Sequence, residues 1–147
     1  MSAHVEISGT IRIAAPPAAA FRFFTPDGER AYVAGWEPEY LHPVDGALRE
    51  GLTFRTQHGG EETIWLVSHL ADPHAADYVR VTPGSRIGVV SVRLEAAGGN
   101  ASDVTVTYRL TSLSPLGDAL VREFPRTFLG VLAGWERSIN GLLTPGA

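Results

Sequence analysis

The stretch that most constrains the fold is residues 115–142, where apolar residues recur every three or four positions. This period places them on one face of an α-helix. Ser114 suits the N-cap and Pro115 the first helical position, while Gly141 and Pro145 are stop signals. The predicted apolar stripe is Leu116, Leu120, Phe124, Phe128, Val131, Leu132, Trp135, Ile139 and Leu142. A long helix with one such stripe needs one broad partner surface.

Pro125 interrupts this pattern. Proline lacks a backbone N–H and its ring displaces the carbonyl of the residue four positions earlier, so we expect a kink or two separate helices. We also expect the break to move Phe124 away from the line of Phe128 and Leu132, and thereby to shape any space beside the helix.

The rest of the sequence predicts a β-sheet, which would supply the partner surface for this helix. Alternating apolar and polar residues indicate strands at 4–13, 52–58, 62–70, 77–82, 86–95 and 104–111, with an extended segment within 35–43. Short helices are expected at 17–24 and from Thr25-Pro26 to Ala34-Gly35. Strands this close in sequence pair antiparallel. The prediction is an α+β fold: a single domain over residues 1–147, with a curved antiparallel sheet of about seven strands around the C-terminal helix and two short helices after the first strand.

Composition excludes several function classes. The net charge is −4, and all twelve basic residues are Arg without clustering, which argues against a nucleic-acid partner. The absence of Cys excludes disulfides and thiolate catalysis. No run is long and apolar enough to span a membrane, and no signal-peptide pattern is present, so we expect a cytoplasmic protein. Neither GxGxxG nor a Walker loop occurs, and we therefore predict no cofactor.

Three stretches, FTPDGERAYVAGWEPEYLHP, HGGEETIW and YVRVTPGSRIG, together with the element order, resemble the START-like, or SRPBCC, superfamily. The bacterial members that they are similar to are described as polyketide cyclase/dehydrase-like. The resemblance implies the helix-grip fold over the whole chain. The superfamily includes lipid and hormone binders, aromatase/cyclases and domains that activate a heat-shock ATPase. No catalytic motif is common to them, so none is transferred to this sequence.

The resemblance implies a cavity between the sheet and the long helix. Its predicted ligand-binding residues are Trp36, Phe54, Trp65, Val106, Tyr108, Phe124, Phe128 and Leu132, each of which could instead be ordinary core. The polar candidates are His42, His58, His69, Tyr78, Arg80, Tyr108 and Arg109. If Val79 and Val81 point inward, Arg80 faces solvent. Arg109 is expected outside, which leaves the Tyr108 hydroxyl as the best polar candidate.

Metal and nucleophile chemistry have little support. His58, Glu61, Glu62 and His69 are potential metal ligands, but no HxH or HExxH spacing is present. The hairpin around Gly59-Gly60 is expected to be a polar tip, and no metal is predicted. No serine lies in a GxSxG turn.

Three functions remain open. The first is binding of a hydrophobic small molecule, lipid-like or polyketide-like. The second is a cofactor-independent cyclase, aromatase or dehydratase, which a closed apolar cavity with two or more inward polar groups would favour. The third is a protein-interaction domain similar to heat-shock ATPase activators, which a filled cavity and an apolar patch on the outer sheet face would favour. Whether the chain is an enzyme, and whether it forms a homodimer, is left open.

Overall fold

The computed structural model describes residues 2–144, which form one sheet, one long helix and three short helical turns. The strands are β1 (His4–Ile13), β2 (Glu39–His42), β3 (Thr53–His58), β4 (Glu61–Ala71), β5 (Ala75–Thr82), β6 (Arg86–Ala96) and β7 (Ser102–Ser112). The helices are α1 (Pro17–Ala20), which continues directly into a 3-10 helix at Phe21–Phe24, a second 3-10 helix at Gly28–Ala31, and α2 (Pro115–Leu143). The predicted α+β architecture is confirmed.

All neighbouring strands pair antiparallel in the order β1-β7-β6-β5-β4-β3-β2. The predicted hairpin between β3 and β4 closes on Gly59 and Gly60, which have φ angles of +57° and +83°. Two consecutive positive φ angles define the type I′ turn that matches the twist of the strands, and glycine adopts them without strain. The first and last strands, β1 and β7, lie side by side in the sheet.

The long helix α2 packs across the concave sheet face along β1 and β7. At the N-terminus of the helix, the Ser114 hydroxyl accepts a hydrogen bond from the Gly117 N–H at 3.2 Å, as predicted for an N-cap. Near the other end, Glu136 and Asn140 accept bonds from the backbone N–H groups of Arg12 and Ala14. These side chains satisfy donors at the end of β1 and fix the helix along that strand.

The predicted apolar stripe of α2 is partly wrong. The buried residues are Gly117, Val121, Phe128, Leu132 and Ile139, whereas Leu116, Leu120, Val131 and Leu142 are exposed. The buried positions follow each other at alternating intervals of four and seven, which keeps them on one face of the helix. Hydrophobicity alone could not separate this line from the neighbouring exposed leucines.

The expectation that Pro125 divides this region into two separate helices is also wrong. The helix is continuous from Pro115 to Leu143, with Pro125 inside it. Val121 and Phe128, on either side of the proline, are both buried. Their packing against the sheet outweighs the roughly 3 kcal/mol that a proline costs in a helix interior. The second stop signal, Pro145, lies outside the described residues.

Candidate functional site

A cavity of about 300 Å³ lies between the concave face of β3–β7, the segment around residues 24–36 and the side chain of Trp135 on α2. It is bordered by aromatic, aliphatic and polar side chains. Those used below are Glu29, Trp36, Phe54, Thr56, His58, Glu61, Thr63, Trp65, Tyr78, Arg80, Arg86, Val90, Val106, Tyr108 and Trp135. The volume is at the small end of the range for ligand pockets, roughly 300–1,000 Å³.

One wall of the cavity is aromatic. The rings of Phe54 and Trp65, which are paired across β3 and β4, stack with centroids 5.8 Å apart, and Trp36 meets both of them edge-on. The indole N–H of Trp65 donates to the Thr56 hydroxyl at 3.0 Å, and that of Trp36 donates to the Pro26 carbonyl at 2.7 Å. Because both N–H groups have internal partners, this wall offers mainly apolar ring surface to the cavity.

Glu29 brings a carboxyl group to the cavity from the second 3-10 helix. Burial raises the pKa of this carboxyl to about 8, and no hydrogen bond or ion pair from residues 2–144 offsets that rise. Its charge adds to the effect of burial in raising the pKa values of Tyr32 and Tyr78. At neutral pH, Glu29 is therefore mainly a neutral acid, able to donate or accept a proton near physiological conditions.

The tyrosines around Glu29 differ in their partners. The hydroxyls of Tyr32 and Tyr78 donate to the carbonyls of Phe23 and Phe24, at 2.5 and 2.7 Å. The Tyr108 hydroxyl makes no hydrogen bond to any residue in the range 2–144. Burial raises its pKa to about 12, although the nearby Arg80 charge opposes the shift. Tyr108 can thus donate a hydrogen bond to a molecule in the cavity.

Arg80 corrects one of our expectations, because its side chain borders the cavity and does not face solvent. The register of β5 with β4 pairs Arg80 with the inward-facing Trp65, so Tyr78 and Arg80 point inward and Val79 outward. The Arg80 Cζ atom lies 5.0 Å from the centroid of the Trp65 ring, a cation–π distance. From the sequence, Val79 and Val81 are candidates for the inward-facing residues of β5 because valine is apolar. The pairing of β5 with β4 places the alternate residues on the inner face instead.

The cavity opens between the tip of the β3–β4 hairpin and the residues after the second 3-10 helix. His58 at the tip and Gly35 opposite are both exposed, and a Cβ placed on Gly35 would lie 4.0 Å from the His58 Nδ1 atom. Beside the opening, Arg86 donates two hydrogen bonds of 3.2 Å to Glu61. These hydrogen bonds lower the pKa of the Glu61 carboxyl. A small molecule could enter through this polar rim.

The predicted ligand-binding residues fall into three groups. Trp36, Phe54, Trp65, Val106 and Tyr108 border the main cavity. Phe124 and Phe128 border a separate space of about 40 Å³ beside Tyr108, Val131 and Trp135, and Leu132 is fully packed and borders neither. The expected separation of Phe124 from Phe128 is wrong, since their ring centroids are 5.5 Å apart. Continuous helical packing holds the two rings together against Tyr108.

Sequence reasoning missed Glu29 as a site residue. Glu29 lies in a four-residue 3-10 helix, which is too short for a hydrophobic period to identify the side that faces the cavity. Arg86 was missed for a different reason. It is the first residue of β6, and it reaches the cavity beside Glu61 of β4, a strand that is not its neighbour in the sheet.

The other polar candidates lie elsewhere. His42 and His69 are exposed, and His69 lies 3.6 Å from Glu50, away from His58. Arg109 faces solvent, as expected, 3.5 Å from Glu6. Within residues 2–144, no group of three or more His, Asp or Glu side chains is arranged to hold a metal ion.

The outer face of the sheet carries an apolar patch on β4, β5 and β6. The register places its six residues in two adjacent rows, Leu66–Val79–Val89 and Ile64–Val81–Ile87. Leu66 and Ile87 are the most exposed of them, at 39% and 40%. This patch meets one of the two conditions stated above for the protein-interaction alternative. The other condition, a filled cavity, is not met.

Solved structures with a similar backbone cover nearly all of the chain. Norcoclaurine synthase from Thalictrum flavum, in complex with dopamine and hydroxybenzaldehyde, has a TM-score of 0.69 at 12% identity, over 99% of this chain and 90% of that one. CalU16 from Micromonospora echinospora has a TM-score of 0.67 at 19% identity, over 95% and 77%. An HSP90 activator from Plasmodium falciparum has a TM-score of 0.64 at 18% identity, over 94% and 95%.

The chain has the helix-grip fold. The resemblance drawn from the sequence is confirmed at this level. No family model and no curated protein sequence matches the chain. The similar structures include both a norcoclaurine synthase and an HSP90 activator, so the fold alone does not assign an activity. No helix within residues 2–144 has the length and apolar character to cross a membrane.

Proposed function

We propose that this helix-grip chain binds a small, largely apolar molecule in the cavity beside the Phe54–Trp65 stack. The observation that carries the proposal is the cavity itself, which has a volume of about 300 Å³ and is bordered by Trp36, Phe54 and Trp65. An apolar space with a few convergent polar groups is the usual form of a ligand site. The polar groups here are Glu29, Arg80 and Tyr108.

The chain provides its own reporter for this proposal. It has three tryptophans, Trp36, Trp65 and Trp135, and all three border the cavity. A bound molecule should change the intrinsic fluorescence, and native mass spectrometry of the purified protein should detect any ligand that co-purifies. A saturable fluorescence change with a hydrophobic ketone such as 2-tetralone is the expected result.

Two neighbouring residues on β6 supply the matched variants. Val90 borders the cavity, whereas Val89 belongs to the patch on the outer face. Val90→Phe should fill part of the cavity and weaken binding, and Val89→Phe should leave binding unchanged. Equal affinities in both variants, with both proteins folded by circular dichroism, would show that the probe binds elsewhere.

A second candidate function is proton-transfer catalysis of the cyclase or dehydratase type, without a cofactor. The observation that favours it is the inward-facing Glu29, whose pKa of about 8 matches that of a general acid or base. Its carboxylate would remove a proton next to a ligand carbonyl, while the Tyr108 hydroxyl would donate a hydrogen bond to the enolate oxygen.

This second candidate can be tested through isotope exchange. In D₂O, the protein should accelerate the exchange of the α-protons of 2-tetralone for deuterium, measured by proton NMR. Glu29→Gln should abolish the acceleration, and Tyr108→Phe should reduce it by about 10- to 100-fold. Binding of 2-tetralone without any acceleration over buffer would leave the protein as a binder only.

A further inference from the structure

Arg80 is the polar group of the cavity with the most unused hydrogen-bond donors. A guanidinium has five N–H donors. In Arg80, Nη2 is 3.3 Å from the Thr82 hydroxyl, and Nε is buried without a partner. Within residues 2–144, no carboxylate forms a salt bridge with Arg80, whereas Arg86 next to it has a two-bond pair with Glu61. The guanidinium is thus held inside the fold with most of its hydrogen-bonding capacity unused.

Within the described part of the chain, the charge on Arg80 has no counterion of its own. Burial lowers the pKa of Arg80, but an arginine starts so high that it stays protonated. The nearby Glu61 carboxylate is already paired with Arg86. The other acid of the cavity, Glu29, is mainly neutral at pH 7, because burial raises its pKa to about 8. Two guanidinium groups therefore face one carboxylate, and the cavity has an excess of positive charge.

We infer that the ligand of this cavity carries a carboxylate on an aromatic body, and that the carboxylate pairs with the Arg80 guanidinium. This inference rests on the proposed binding function and narrows it to a ligand class. A planar carboxylate matches the fork of N–H groups on arginine, and such charge-assisted hydrogen bonds are the strong ones. It would also supply the counterion that the buried guanidinium lacks.

The position of Arg80 also indicates the shape of the ligand. Its Cζ atom is 5.0 Å from the centroid of the Trp65 ring, and Trp65 stacks on Phe54. A carboxylate at Arg80 therefore places the attached ring beside this aromatic wall. The cavity of about 300 Å³ limits the body to one or two fused rings.

The experiment compares two probes that share a ring system. Isothermal titration calorimetry at about pH 7 and low salt would measure 2-naphthoate and 2-naphthalenemethanol, which differ in charge but present the same naphthalene body. The wild-type protein should bind 2-naphthoate about 10- to 100-fold more tightly, the range that a charge-assisted hydrogen bond supplies. This comparison needs no variant, so it stands even if a substitution at Arg80 disturbs folding.

Variants then assign the preference to one residue. Arg80→Gln should lose the preference for 2-naphthoate while keeping its affinity for the alcohol, and Arg80→Lys should retain part of the preference. Arg109→Gln is the matched control, because Arg109 is also an arginine on a strand of this sheet but faces solvent on the outer side. It should bind both probes as the wild type does.

The two proposals fail in different ways. Tight binding of the alcohol with equal or weaker binding of 2-naphthoate would overturn the carboxylate inference and leave the binding function intact. A preference for 2-naphthoate that persists in Arg80→Gln and disappears in Arg109→Gln would also overturn it, because the anion would then bind outside. If neither probe binds, the proposed binding function fails, and the inference that rests on it fails as well.

Discussion

Along β1 and β7, the concave sheet face is covered by α2 and carries aliphatic side chains such as Ile11, Ile13 and Val104, all of them buried. Along β4 and β5, the same face carries Thr63, Trp65, Tyr78 and Arg80 and borders the cavity. The covered half holds buried aliphatic side chains, whereas the cavity half holds polar groups around a space. One sheet thus combines a half that stabilises the fold against α2 with a half that borders the cavity.

Removal of α2 should have the largest effect on this arrangement. A chain that ends at Ser114 leaves the face of β1 and β7 uncovered and loses the bonds from Glu136 and Asn140 to β1. We expect it to be unfolded or aggregated. Circular dichroism during heating would measure this. A cooperative transition near the full-length melting temperature would mean that the sheet is stable without the helix.

Two aromatic substitutions, one in each half, should differ in their effects on stability and on ligand binding. Phe128 is fully buried, so Phe128→Ala should lower the free energy of unfolding by about 3–5 kcal/mol. Trp36 has part of its surface on the cavity, so Trp36→Ala should cost less, about 2 kcal/mol, but should weaken ligand binding more. Urea denaturation and titration with 2-tetralone would test both proteins. If Trp36→Ala costs more stability than Phe128→Ala, the division into halves is wrong.

Much of the fold could be predicted from the sequence, because period and alternation are properties of single elements. Strand positions, the Gly59-Gly60 hairpin and the Ser114 cap all follow from local residues. The cavity half depends on how elements combine. The inward direction of Arg80 follows from pairing with Trp65, and the position of Glu29 follows from how a four-residue turn lies over the sheet. No local pattern encodes either of these.

Glu29 should make stability depend on pH. Burial raises its pKa in the folded chain to about 8, from an ordinary value of 4.5. The folded state thus binds this proton more tightly than the unfolded state, so the stability contribution is complete below pH 4.5 and is lost as pH rises through about 8. Glu29→Gln should match the wild type near pH 4.5. At about pH 8 it should be more stable by about 2–4 kcal/mol. Urea denaturation of both proteins at the two pH values would measure this. The same difference in stability at both pH values would contradict the raised pKa of Glu29.

The same ionisation should weaken anion binding. As pH rises through about 8, Glu29 becomes negative and offsets the charge of Arg80, so 2-naphthoate affinity should fall by about tenfold while 2-naphthalenemethanol is unaffected. The other titratable groups facing Glu29 are Tyr32, Tyr78 and Tyr108, and burial raises the pKa of each beyond this range. Calorimetry across this range would show the effect, and Glu29→Gln should remove it. An unchanged pH profile in that variant would assign the effect to another group.

The smallest expected effect lies at Pro125, in the covered half. Pro125→Ala restores an N–H donor for the Val121 carbonyl, but it also frees the unfolded chain, so we expect a net gain of about 1–2 kcal/mol in stability. Ligand affinity should not change, because Phe124 and Phe128 already pack together around a separate space of about 40 Å³, and neither borders the main cavity. Melting temperature and 2-tetralone affinity, measured on the same samples, test both expectations. A rise in stability accompanied by a loss of affinity would mean that the backbone at Pro125 helps to shape the cavity, and that the two halves of the concave face are coupled through α2.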